Sequence, residues 1–373
     1  MKVGVILGAF SIGTRPLDFW YNNIWDSARG LTGTDLCFVK TAQILAQRGH
    51  EVHLFTVHAQ PAHKPDYWEN VKIHSFEDRF SVIDDSFDGL ISINEPDVFR
   101  GLTTKPVRIV WQMLNDFPFC QEGFDDFVDH WFGVCNQHTE FLKKQVAKPE
   151  KWQTLPLGCS PEWYQDQRVP GRVIWCSSAD RGLHVLLSQW PLIKKAVPHA
   201  TLKIFYHFNY SGLEDISPHD KESHFHVVEM GNRIRYIKYA IDKLKNFGVE
   251  HVGSISREQM KKEFSEAAVF AFSCDTVAFS EGFSVSTLEA HASFTVPVIT
   301  SQDCLGSIYQ DSGAIIIPAP VKDHLPDYTQ AVIKSLLDTE YSNEIIKNCR
   351  NFAENHTWEK SVSVLESTIS AGK

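Results

Sequence analysis

The chain has 373 residues, 43% of them hydrophobic and 22% charged, which is enough for two ordinary domains, each with its own core. Its 36 Lys and Arg against 46 Asp and Glu give a net charge of -10, which argues against a dedicated nucleic-acid binder, because neutralising phosphates needs a basic face. No apolar run approaches the roughly 20 residues of a membrane helix, and the opening MKVGVILGAF has no small-residue cleavage site after it. The eight cysteines are scattered without a zinc-ligand spacing. The expectation is a reduced cytoplasmic protein, soluble or peripherally membrane-associated.

In chain order, KVGVIL, EVHLFTV, VKIHSF, GLISI, VRIVW and WFGVC are short β-branched or aromatic runs bounded by turn residues, and each predicts a strand. Between the first two, Leu36, Val39, Ala42 and Leu45 recur at helical spacing, and Gly49 supplies the stop. That is a βαβ unit, and such units build a mostly parallel sheet with ligands at the carboxyl ends of its strands. The pattern restarts after PGR at 170–172 with RVIWCSS, the helix GLHVLLSQWPLIKKAV, then TLKIFYHF, EHVGSI, VFAFSC, PVITS and AIIIP. The fold class is therefore α/β, with two Rossmann-like doubly wound domains facing each other across a cleft. The first is expected over 1–165, with a C-terminal helix of about 355–373 crossing back to it, and the second over 166–354.

The stretch SEGFSVSTLEA puts Glu281 and Glu289 eight positions apart in a segment with no compensating Lys or Arg. VFAFSC reads as a buried strand, DTVAFSEGF as a loop and SVSTLEAHAS as a helix with Ser284 as its N-cap. Glu281 then precedes the helix and Glu289 lies about one and a half turns inside it. Backbone N–H groups at that helix start attract an anion, and the carboxylates can accept from hydroxyls of the same ligand. The plain alternative is one acid favouring the helix dipole and one solvated.

The run SEGFSVSTLEAHASFTVPVITS resembles the E-x7-E segment of GT-B glycosyltransferases, especially glycosyltransferase family 4. GLTGTDLCFVKTAQILAQRGHEVHLFT resembles the Gly-rich loop, helix and second strand of that family's first domain. LPLGCSPEWY is similar to the segment that ends it, and SSADRGLHVLLSQWPLIKKAVPHATLKIFY to the opening of the second. The resemblance spans roughly residues 1 to 365.

It implies a retaining, metal-independent glycosyltransferase, with no cofactor, moving a sugar from a UDP- or GDP-sugar to a hydroxyl of a glycan or glycoconjugate. Arg181 falls at the family's diphosphate-binding Lys, and Cys176 where an Arg is usual, so one cation is missing or supplied elsewhere. Arg181 can still fork two phosphate oxygens. The resemblance assigns Glu281 to the donor-sugar hydroxyls, Glu289 to the ribose, and Gly282, Phe283, Ser284, Ser178, Gly33 and Thr34 to donor binding. Gly33 and Thr34 would let backbone approach a phosphate; as a plain loop before a helix they need no function.

After VRIVW, where the family often carries a His or Asp near the reacting sugar, the polar candidates are Asn115 and Asp116, which also read as turn formers. Phe19, Trp20, Tyr21 and Trp25 in the loop after the first strand can stack on an acceptor sugar or simply pack. There is no D-x-D, the pair with which GT-A enzymes hold a divalent ion. An epimerase or phosphorylase on the same fold, or a degenerate sugar-nucleotide or glycan-binding protein, stays open. The segment NRIRYIKYAIDKLKNFG, at 232–248, is basic and amphipathic and reads either as a peripheral membrane contact or as an ordinary domain helix.

Overall fold

The computed structural model describes residues 1–8, 24–27, 30–57, 65–117, 120–207, 215 and 225–372. Trp20 and Tyr21, with Phe19, lie outside them. The chain divides into two compact units, one formed by Met1–Gly158 with His356–Lys373 and the other by Cys159–Asn355. The division thus falls at Gly158 rather than at 165, because Cys159 and Tyr164 already pack into the second unit's core.

The first unit holds β1 (Lys2–Leu7), α1 (Gly33–Gln47), β2 (Glu51–Thr56), β3 (Tyr67–Trp68), β4 (Val71–Ser75), β5 (Gly89–Ile93), β6 (Val107–Gln112), β7 (His130–Gly133), α2 (Asn136–Lys143) and β8 (Trp152–Thr154). The sheet order is β3-β4-β2-β1-β5-β6-β7-β8, parallel except for the β3–β4 pair. The β-branched and aromatic runs form it because both faces are covered; β5 is buried along its whole length. The sheet winds outward in both directions from β1, so its switch point lies between β1 and β5.

Helix α1 begins with a capping box between Thr32 and Asp35 and ends before Gly49, whose φ of 83° only glycine adopts freely. Its Leu36, Val39, Ala42 and Leu45 are buried as their spacing requires. The C-terminal helix Trp358–Ala371 packs in this same unit. Ile369 fills the space a side chain at Gly89 would need, and Glu366 accepts from Arg48 and His50, each at 2.7 Å.

The second unit holds β9 (Arg172–Trp175), α3 (Leu183–Ala196), β10 (Thr201–Ile204), α4 (Phe225–Leu244), β11 (Val249–His251), α5 (Arg257–Glu266), β12 (Val269–Phe272), α6 (Val285–Ala292), β13 (Val296–Thr300) and β14 (Ile315–Ile317). The order β11-β10-β9-β12-β13-β14 is fully parallel, and here the switch point lies between β9 and β12. Trp175, Phe270 and Phe272 fill its core, and α4 buries Ile234, Ile237 and Ala240 against it as an ordinary domain helix. Among the described residues no helix is long and apolar enough to cross a membrane.

Candidate active site

In the second unit the loops after β9 and β12 both leave the sheet at the switch point, and they carry Arg181 and Glu281. The first loop, 176–182, ends in a single helical turn, Ala179–Arg181, before α3. Gly182 joins the two at φ 115°. The loops are laced together: Asp275 N donates to Arg181 O at 3.0 Å, and Ser273 Oγ donates to Gly182 O at 2.9 Å. Arg181 Nη1 donates to Ser280 Oγ, and its Nε lies 3.6 Å from Asp180 Oδ2. Ser178 Oγ turns back onto Asp180 Oδ1.

Glu281 sits on the loop before α6, and Ser284 is the helix N-cap, accepting from Thr287 N at 3.2 Å. Gly282 is buried, and Phe283 packs on Tyr309 with ring centroids 6.2 Å apart. The conformation of this loop is set by Asp303, which sequence reasoning missed. Its Oδ2 accepts from Thr276 Oγ1, Ser280 N and Glu281 N, all at 2.9 Å. Asp303 itself adopts a φ of 51°, a left-handed conformation that Asp tolerates better than most residues. Burial pushes the Glu281 carboxyl up to about 7; Arg181 opposes the rise, and Asp303 and Asp180 add to it.

Glu289 is 5% exposed and does not face solvent. Arg257, the first residue of α5, forms an ion pair with it through Nη2 and Oε1, and Tyr164 Oη donates to the same oxygen at 2.9 Å. Burial holds the Tyr164 phenol well above its usual range, so it remains a donor. The charge missing from the E-x7-E segment is therefore supplied from far along the chain. Cys176 feels the same pair: burial pushes its thiol up, with Glu289 adding to the rise and Arg257 opposing it.

A third cation reaches the switch point from α4. Arg233 Nη2 is 3.1 Å from Asp275 Oδ2, and His184 Nε2 lies 3.2 Å from that same oxygen. Against the upward push of burial, His184 and Arg233 hold the Asp275 carboxyl below its usual range. The signals for Asp275 and Asp303 in the sequence are only their places directly after strands β12 and β13.

In the first unit, Gly33 and Thr34 form the first turn of α1 instead of a loop, at the carboxyl edge of the sheet. Asn115 and Asp116 lie after β6 at that edge, where their backbone carbonyls accept from Gln145 Nε2 at 3.0 Å and Gln112 Nε2 at 2.9 Å. The Asn94 amide fixes this loop by accepting from Met113 N at 2.6 Å and Leu114 N at 3.2 Å. Trp25 packs on Trp68 at 6.0 Å between centroids, with Lys40 Nζ 5.2 Å from its ring. Glu95, which sequence reasoning did not single out, follows β5 at the switch point; a Cβ on Gly8 would collide with its carboxylate.

No protein-family profile and no curated protein matches the chain. Solved structures do. Sucrose-phosphate synthase from Thermosynechococcus elongatus is 13% identical, with a TM-score of 0.69 and 100% of both chains covered. Anabaena HepE in complex with UDP-glucose is 11% identical, with a TM-score of 0.66 over 100% of both chains. WaaG, a glycosyltransferase involved in lipopolysaccharide biosynthesis, is 11% identical, with a TM-score of 0.60 over 98% of this chain and 99% of its own. At these identities the likeness speaks to architecture. The chain has the fold of the GT-B glycosyltransferases.

Proposed function

We propose that the chain is a glycosyltransferase that moves a sugar from a nucleotide-diphosphate sugar to a hydroxyl of a glycan or glycoconjugate, with retention at the anomeric carbon. The observation that carries this reading is the convergence of Arg181 and Glu281 on adjacent loops at the second unit's switch point, where open α/β sheets bind ligands. The fold it shares with HepE, which is solved with UDP and with UDP-glucose, favours a UDP-sugar, with GDP as the other base to test.

In this reading Arg181 and the N-terminus of α3 stabilise the diphosphate as it leaves, and Glu281 orients the donor-sugar hydroxyls beside the N-terminus of α6. The leaving phosphate takes the acceptor proton, so the reaction needs no separate strong base and no metal. Ser178, Gly282, Phe283 and Ser284 line the donor site. Gly33 and Thr34 are assigned in this reading to donor binding, Asn115 and Asp116 to the reacting sugar and Trp25 to the acceptor, all of them residues of the first unit. Peripheral contact with an anionic bilayer would use the exposed face of α4, with Tyr236, Tyr239, Lys238 and Lys243.

The test is a thermal-shift screen of nucleotides and nucleotide sugars, followed by turnover of those that bind, with and without EDTA. Free nucleotide released with an acceptor present, undiminished by chelation, is the expected result. A changed sugar still attached to its nucleotide would make the protein an epimerase, and stabilisation without any turnover would make it a binding protein. Loss of activity in EDTA, restored by magnesium, would overturn the metal-free mechanism.

A further inference from the structure

The loop after β12, from Thr276 to Glu281, is closed at its base by one carboxylate. Asp303, just beyond the end of β13, accepts through Oδ2 from Thr276 Oγ1 at the start of the loop and from Ser280 N and Glu281 N at its end, each at 2.9 Å. Its two chain neighbours complete the clamp. Gln302 Nε2 donates to Thr276 Oγ1 and to Asp303 Oδ1, both at 3.0 Å, and Cys304 N donates to Glu281 O at 3.3 Å. Glu281 is thus held at both its N–H and its carbonyl, and the Ser280 hydroxyl beside it accepts from Arg181 Nη1. An ionised carboxylate has about four acceptor sites, and four donated bonds reach Asp303 from the protein itself. Little capacity is left for a ligand, which makes Asp303 a holder of the loop.

We infer that Asp303 is a positioning residue of the second unit's site: it ties the two ends of the loop together so that Ser280 meets Arg181 and Glu281 keeps one orientation, and it acts on the donor through them. The inference rests on the donor reading above. The charge of Asp303 also reaches Glu281. Burial is the largest cause of the rise of the Glu281 carboxyl; Arg181 opposes it, and Asp303 and then Asp180 add to it. A residue that served only the fold would leave the ionisation of Glu281 unchanged when its own charge was removed.

The experiment follows the Glu281 carboxyl by carbon-13 NMR from below pH 4.5 to above about 7, its signal identified by its loss in Glu281→Gln, in the wild type, Asp303→Asn and Asp303→Gly. Dissociation constants of UDP and GDP are measured on the same proteins. Asparagine tolerates the φ of 51° and keeps an acceptor oxygen for the loop, losing only the charge; glycine tolerates the same φ and loses both. In Asp303→Asn the Glu281 midpoint is expected to fall by about half a pH unit or more, because one of the neighbouring anions is gone. Asp303→Gly is expected to show the same fall and, with the loop released, to bind UDP about tenfold more weakly. Circular dichroism checks folding, and Asp303→Asn carries the test should Asp303→Gly fail to fold. A Glu281 midpoint in Asp303→Asn equal to that of the wild type would overturn the inference, as would wild-type UDP affinity in a folded Asp303→Gly, since Asp303 would then serve the fold alone. Failure of the wild type to bind either UDP or GDP would instead overturn the donor reading, and the titration alone would then decide whether Asp303 governs Glu281.

Discussion

Gly182 and Ser273 meet backbone to backbone: a Cβ on Gly182 would lie well inside contact distance of Ser273 O. This closeness brings the β9 loop against the β12 loop and so sets Arg181 beside Ser280. Gly182→Ala meets both the clash and a φ of 115° that L residues rarely adopt. The substitution is expected to destabilise the second unit by more than about 1 kcal/mol and to lower donor affinity, because Arg181 moves with the loop. Unchanged melting temperature and affinity would show that the loop contact does not hold Arg181.

Removing one member of the Arg257–Glu289 pair leaves the other charge buried and alone. Glu289→Ala is therefore expected to cost about 3–5 kcal/mol of stability, in addition to any effect on ligand binding. The double variant Arg257→Met, Glu289→Leu restores packing without a charge, and its loss should be well below the sum of the two single losses. Additive losses in urea denaturation would mean the two residues do not act as a pair.

The strands and their parallel order were legible because a buried sheet needs continuous β-branched and aromatic runs, and KVGVIL, GLISI and VFAFSC are such runs. The short edge strands Tyr67–Trp68 and Trp152–Thr154 were not, since two or three residues carry no periodicity. Within the site, Glu281 and the Ser284 cap could be placed from local pattern alone. The partners of the acids could not. Arg257 is 32 positions from Glu289 and Tyr164 is 125 away, and such pairings are decided by how the strands are ordered. Ser256 with Gln259 does announce a helix start by its capping box, which places Arg257 at a helix N-terminus but not beside an acid.

His138 tests the first unit by pH. It is fully buried; Nδ1 accepts from Val134 N at 3.3 Å and Nε2 reaches Leu114 O at 3.2 Å, an arrangement that suits the neutral ring. Burial pushes its pKa down to about 4. The unfolded chain takes up the proton first, near the ordinary value of 6.5, so the stabilisation is complete above 6.5 and is lost as pH falls toward about 4. The wild type should therefore lose stability over this window more steeply than His138→Gln, and parallel curves would count against a buried neutral histidine.

Arg181 separates leaving-group stabilisation from simple charge. If the guanidinium supports the diphosphate as it departs, Arg181→Ala should lower kcat by about 10²-fold or more, the usual loss for one preorganised donor. Arg181→Lys keeps the charge and loses the fork, so its loss should be smaller but still measurable. Turnover near that of the wild type in both variants would remove Arg181 from the chemistry.

Glu281 supplies a prediction of opposite sign to that of His138. Burial raises its carboxyl from 4.5 to about 7, with Asp303 and Asp180 adding to the rise against the pull of Arg181. Between these two values the folded protein binds more protons than the unfolded chain, so stability falls as pH rises through the window and the contribution is gone above about 7. Glu281→Gln fixes the side chain in a neutral state, and its melting temperature should drift less over the same interval. The difference between the two curves should therefore widen from pH 4.5 to about 7 and then stay constant. If the donor binds as proposed, the same ionisation bears on it, because a charged Glu281 joins Asp180 and Asp303 as a further anion in the corner where the diphosphate would sit. Nucleotide-diphosphate affinity of the wild type should weaken as pH rises through about 7, while that of Glu281→Gln changes less. A wild-type pH profile that matches Glu281→Gln in both stability and affinity would mean that Glu281 titrates at an ordinary carboxylate value and that burial in the loop held by Asp303 does not govern its charge.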